Sequence, residues 1–188
     1  MSNAFDLNRR REGTGDRRPP VGGEIVYRIL SPDSWKLYGR QVLAIEKSLF
    51  HPWMVQEHAE LRDVFVNPKA IFITALEADV VAGFVCGEDL WHYVEPHDPE
   101  FDSGIEEAGT IYVETIDVNP AKQGMGIGTG LLRAFVAEAR LRGYKHVAGH
   151  WRQGASLGLI MKFGGKVRMV EENYLGTGET YSYVVLDL

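Results

Sequence analysis

The chain has 188 residues, 45% of them hydrophobic and 24% charged, which suits one globular domain with a substantial core. Its formal net charge of −6 argues against a body that adheres to nucleic acid or to an anionic membrane. The single cysteine, Cys86, follows the apolar run Val80–Val85, which rules out an intramolecular disulfide and a cysteine-based metal site. A buried thiol in a reducing cytoplasm is expected.

Residues 1–23 carry Arg9, Arg10, Arg11, Arg17 and Arg18 among Gly, Asp and Glu, with little to bury. They are expected to form a flexible tail ahead of one domain spanning 24–188. The arginines have no apolar stretch behind them, so no secretory signal is expected, and no apolar run approaches the ~20 residues of a membrane span.

Glu24–Leu30 then reads as a strand, ended by Ser31-Pro32-Asp33, a helix start. Trp35–Leu49 places Tyr38, Val42, Ile45 and Leu49 at helical spacing, and a second helix is expected over 55–66. Ala70–Leu76 and Val80–Gly87, separated by Glu77-Ala78-Asp79, read as an antiparallel hairpin. A polar excursion from Trp91 to Gly109 leads to a strand, Thr110–Val118. Ile127–Arg142 is predicted helical, with Leu131, Leu132, Phe135, Val136 and Ala139 on one side and Gly143 as its cap. His146–Trp151 (strand), Ala155–Phe163 (helix), Lys166–Glu171 and Thr180–Leu186 (strands) complete the chain. This alternation predicts an α/β fold with helices packed on a mixed sheet.

The most informative stretch runs from Val118 to Gly130, leaving a strand through alternating glycines and entering an amphipathic helix. Missing Cβ atoms let backbone approach a ligand, and the unpaired first amides of a helix suit a phosphate. No lysine follows the glycines as a Walker loop needs. The dinucleotide spacing Gly-x-Gly-x-x-Gly also fails, because its third position falls on Thr129, Leu131 or Arg133. What fits is Gln-x-x-Gly-x-Gly, as Gln123, Gly126 and Gly128.

This loop resembles the acetyl-CoA pyrophosphate loop of the GNAT superfamily, and the element order from about Glu24 to Leu188 is similar to that fold. The resemblance implies a mixed, mostly antiparallel sheet of six to seven strands flanked by about four helices. It further implies that the amides of Gln123, Gly124, Met125, Gly126, Ile127, Gly128 and Thr129 hold the diphosphate of acetyl-CoA. The main chain at Ile116 and Val118 would pair with the pantetheine arm. Lys122 and Arg133 are either phosphate contacts or solvated surface.

Amide formation needs a proton acceptor, since most amines arrive protonated. Glu114 stands six residues before Pro120, an offset that resembles the Glu of polyamine acetyltransferases in the same superfamily, and the resemblance implies a general base there. The alternative is a carboxylate held for structure or for substrate binding. The apolar parity changes from Ile111 and Val113 to Ile116 and Val118, which predicts a β-bulge near Glu114-Thr115. His150 is a second candidate base. Where many GNAT enzymes carry a Tyr that protonates the leaving thiolate, this chain has Ile160, so either Tyr174, Tyr144 or Ser156 serves instead, or the thiolate departs without much help. Gln153 stands where the family has Asn.

For the acceptor, Phe50-His51-Pro52-Trp53 can wall a pocket, and Glu95, His97, Asp98, Glu100, Asp102, Glu106 and Glu107 form either a polycation site or a solvated loop. The spacing of His92, His97 and these acids matches no metal motif, and none is predicted. The function expected from the resemblance is direct acetyl transfer to a small-molecule or peptide amine in a ternary complex. A non-catalytic acyl-CoA sensor is the rival. Thr180–Leu186 is apolar enough to join a homodimer interface.

Overall fold

The computed structural model describes residues 23–29, 32–50, 52, 58–91 and 108–188. The predicted tail up to residue 22, His51, Trp53, and the histidines and acids between 92 and 107 lie outside the described residues.

The elements are β1 (Ile25–Ile29), α1 (Trp35–Lys47), α2 (His58–Val66), β2 (Ile71–Glu77), β3 (Val80–Asp89), β4 (Thr110–Val118), α3 (Ile127–Leu141), β5 (His146–Arg152), α4 (Ala155–Lys162), β6 (Lys166–Glu171) and β7 (Tyr181–Asp187). The seven strands form one sheet in the order β1-β2-β3-β4-β5-β7-β6. Every neighbouring pair is antiparallel except β4 and β5, whose connection runs through α3.

Ala78 and Asp79 turn β2 into β3 with φ of 46° and 67°, the left-handed pair that a two-residue hairpin requires. Both faces of the sheet are covered. Leu131, Leu132, Phe135 and Val136 of α3 pack on Ile73, Val85, Ile111 and Val113. On the other face, Val42, Leu43 and Ile45 of α1 and Leu61 and Phe65 of α2 pack on Phe72, Phe84 and Cys86. Phe72 and Phe84 stack with centroids 5.5 Å apart.

β7 differs from the expected interface strand. It lies between β5 and β6, and Tyr181–Leu186 are buried, so its apolar character serves the sheet interior. The open edge on that side is β6, where Val167, Met169 and Val170 are exposed.

Candidate active site

The two parallel strands at the centre of the sheet part soon after they meet. β4 pairs with β5 only at Thr110, Ile111 and Tyr112, whereas on its other side it pairs with β3 as far as Val118. Beyond Tyr112 the β5-facing edge of β4 is open. A cleft of about 590 Å³ occupies the gap, bounded by β4, the glycine loop, the ends of β5 and α1, and α4.

The loop at one end of this cleft is built by short-range polar contacts. Asn119 Oδ1 accepts the Ala121 N–H at 3.0 Å, and the Asn119 carbonyl accepts the Lys122 N–H at 2.7 Å. Gly124 and Gly126 then take φ of 78° and 80°, values that strain any residue with a Cβ. The first α3 amide with an intrahelical acceptor is that of Gly130, on the Gly126 carbonyl at 3.1 Å. The amides of Ile127, Gly128 and Thr129 are therefore left over, together with the positive end of the helix dipole. A Cβ built on Gly124 or Gly126 would meet nothing within 4 Å. The cradle is open, donor-rich and without an acidic side chain of its own, so it fits an anionic diphosphate.

Gln123 is the exception among the expected amides. Its N–H points to the Pro120 carbonyl at 3.4 Å, and its side chain donates to the Val118 carbonyl at 3.3 Å, so it shapes the turn. Lys122 is paired with Glu77 of β2. Arg133 is exposed on α3, away from the cleft.

Glu114 lies on the cleft wall, half-buried, at the extra residue of a bulge. Val113 faces Gly87 and Thr115 faces Cys86, so Glu114 is the one residue by which the register shifts. The expected phase change is present: Ile111 and Val113 before the bulge, and Ile116 and Val118 after it, all pack toward α3. The buried Cys86 thiol behind this wall is pushed well up, first by burial and then by the carboxylates of Glu114, Asp117 and Glu46, so it is no nucleophile.

Asp117 was not among the candidate site residues. The structure buries it on the cleft wall with 2% exposure, where Thr115 Oγ1 donates to its Oδ1 at 3.0 Å. Burial pushes its pKa up to about 7, against the pull of the Thr115 hydrogen bond; Glu46 adds to the rise and Arg152 opposes it. The sequence signal that would have found it is its shared parity with Thr115, opposite to the apolar Ile116 and Val118.

His150 also borders the cleft, but both ring nitrogens are engaged. Nδ1 meets the Tyr112 hydroxyl at 2.7 Å and Nε2 meets Glu171 Oε1 at 2.8 Å. Among the candidate thiolate acids, Ser156 lines the cleft. Tyr144 donates to Asp89 at 2.8 Å outside it, and burial with that carboxylate raises its pKa to about 12. Tyr174 stacks on the His150 ring at 5.1 Å. Ile160 is buried in the α3-side core, and Gln153 donates to Ser182 at 3.1 Å. Among the described residues no three His, Cys, Asp or Glu side chains group to hold a metal ion. None of the described helices is long and apolar enough to cross a membrane.

Comparison with known proteins bears on this geometry directly. Residues 39–164 match the family model described as the acetyltransferase (GNAT) family. Among solved structures, the chain is similar to an N-acetyltransferase from Staphylococcus aureus Mu50 at 20% identity, covering 88% of this chain and 99% of that one, with a TM-score of 0.64. It is similar to the ribosomal-protein-S18-alanine N-acetyltransferase from Escherichia coli at 15% identity, covering 87% and 94%, with a TM-score of 0.65. The third, yncA from Salmonella typhimurium with its cofactor acetyl-CoA, shares 18% identity over 88% and 95% of the two chains, with a TM-score of 0.67. At such identities the likeness establishes the fold. A search of curated proteins gives no sequence match. The family match, in contrast, spans more than half of the chain and takes in the opened strand, the glycine loop and α4 together, so the chain belongs to the acetyltransferase (GNAT) family.

Proposed function

We propose that this chain moves an acetyl group from acetyl-CoA directly to a primary amine, in a ternary complex, with Glu114 accepting the amine's proton. The observation that carries this reading is the shared cleft. One wall is the unpaired edge of β4, one end is the donor-rich loop, and Glu114 sits at the bulge between them.

Acetyl-CoA, when bound, supplies the thioester. The amides from Gly124 to Thr129 would hold its diphosphate, in a turn kept in shape by Gln123. The open main chain at Ile116 and Val118 would run beside the pantetheine arm as an added strand. Glu114 has the position and the chemistry to take a proton from an alkylammonium, whose reference pKa near ~10.4 keeps it charged at neutral pH.

The test is thiol release from acetyl-CoA against alkylamines, aminoglycosides, free amino acids and short peptides. Release with at least one amine is expected. A second reading, a sensor that binds acyl-CoA without turnover, draws on one observation: the position where many family members carry a tyrosine is the buried, apolar Ile160. Acetyl-CoA binding without thiol release would favour it. A cytoplasmic setting accords with the free, buried Cys86. We assign a homodimer to the open β6 edge; light scattering of Val170→Lys against the unmodified chain tests that assignment.

A further inference from the structure

The sheet face away from α3 holds more buried acid than the proposed chemistry uses. Thr115 satisfies one oxygen of Asp117, but Oδ2 has no hydrogen-bond partner among the described residues, although the residue borders the cleft and is 2% exposed. Glu46 arrives from α1, itself 2% exposed, so two carboxyls are buried on this face while Glu114 stands half-buried on the cleft wall. The cation bearing on Asp117 is Arg152, whose guanidinium is bound to Glu179 at 3.2 Å on the surface.

A second polar atom is left open on the same cleft. The Tyr181 hydroxyl is buried, lacks a hydrogen-bond partner among the described residues, and belongs to a residue on the same cleft. Tyr181 stands on β7 and Asp117 on β4, with β5 between them in the sheet, and both border the one cleft that opens where β4 and β5 part. Native proteins seldom leave buried polar atoms unsatisfied. Two such atoms on the wall of an open cleft are groups that a ligand completes, and a ligand meeting excess buried carboxylate should be cationic. Leu49 and Phe50 border the same cleft and offer apolar surface for a carbon chain.

We propose that Asp117, together with the Tyr181 hydroxyl on the same cleft, docks the positive charge of the acceptor, and so selects alkylammonium acceptors over amines that are uncharged at neutral pH. This inference rests on the acetyltransfer reading above. An ammonium N–H donates to Asp117 Oδ2, the Tyr181 hydroxyl completes the polar contact, and Glu114 remains the proton acceptor.

The test compares the unmodified chain, Asp117→Asn and Tyr181→Phe in steady-state kinetics with a simple alkylamine and with an arylamine, the latter uncharged at neutral pH. Calorimetry of the alkylamine binding to the protein–CoA complex gives a readout independent of turnover. Loss of one charged hydrogen bond predicts an alkylamine KM raised about 30-fold in Asp117→Asn. Its arylamine KM is expected to change far less, which separates loss of a charge contact from general damage to the cleft. Tyr181→Phe should raise the alkylamine KM several-fold without loss of stability, and it decides the matter if Asp117→Asn does not fold. An unchanged alkylamine KM and affinity in both variants would overturn the docking role and leave acetyl transfer standing. A fall in kcat alone would also overturn it, by placing Asp117 in proton transfer. If the unmodified chain released thiol with no amine, both the inference and the reading beneath it would fall.

Discussion

Replacing Asp117 by Asn should change how stability depends on pH, and the size of the change follows from its burial. The carboxyl ionises near 3.8 in an unfolded chain and near 7 in the fold, where burial disfavours the charged form. The native state therefore holds the extra proton between those values, and stability falls as pH rises through that window. The advantage of the neutral carboxyl is complete below about pH 4 and gone above about pH 7, a total of roughly 4 kcal/mol. Between pH 5 and pH 9 about 3 kcal/mol of this should be visible. Asparagine cannot ionise, its Oδ1 still accepts from Thr115, and its new N–H group would lack an acceptor at about 1–3 kcal/mol, whatever the pH. Urea unfolding of both proteins at several pH values measures the difference. The unmodified chain should lose ground steadily against Asp117→Asn from pH 5 to pH 7 and then hold a constant gap. Parallel curves across the whole range would refute the reasoning, because they would mean that Asp117 titrates as it does in the unfolded chain.

Three further perturbations probe the cleft and its frame. Glu114→Gln should lower kcat about 100-fold at neutral pH and less at high pH, where the amine deprotonates itself; an unchanged pH–rate profile would remove Glu114 from the mechanism. Gly126→Asp places an anion at the helix entrance and a Cβ at φ 80°, so acetyl-CoA affinity by calorimetry should fall about 100-fold or more. Gly87→Ala should cost about 3 kcal/mol or abolish folding, because its Cβ would lie 2.1 Å from the Tyr112 carbonyl, where β3 and β4 pair; a melting temperature near that of the unmodified chain would contradict the register given for these strands.

What the sequence disclosed depends on whether a feature is local. The limits of β4 and β6 agree with expectation at both ends, because Gly109 at φ 87° and the glycines Gly164 and Gly165 break the chain at their starts, within a residue or two. The bulge was legible from the change of apolar parity across Glu114, which only an extra residue produces when both halves bury the same face. The loop was legible because its spacing dictates its backbone. The turn contact of the Gln123 N–H with the Pro120 carbonyl, at 3.4 Å, does not show in a residue pattern. β2 gave no face to read, because Phe72 and Ile73 are buried against opposite helical layers and the usual alternation disappears.

The features that set apart this cleft are those made by distant parts of the chain. His150 takes its two partners from Tyr112 and Glu171, 38 and 21 residues away, so its engagement by both ring nitrogens has no local signature. Glu46 looks like any solvent-facing residue of an amphipathic helix until α1 is laid across β3 and β4, where it is 2% exposed and electrostatically coupled to Asp117. A core that buries Glu46 and Asp117 on one side of a sheet tolerates a standing electrostatic cost which apolar residues of similar size would avoid. Such a cost is retained where it serves binding or chemistry, and the unpartnered oxygen of Asp117 marks where in this cleft it is concentrated. The glycine loop identifies what the cleft shares with its family, whereas the opposite wall, assembled from α1, β4 and β7, is where the choice of acceptor should reside.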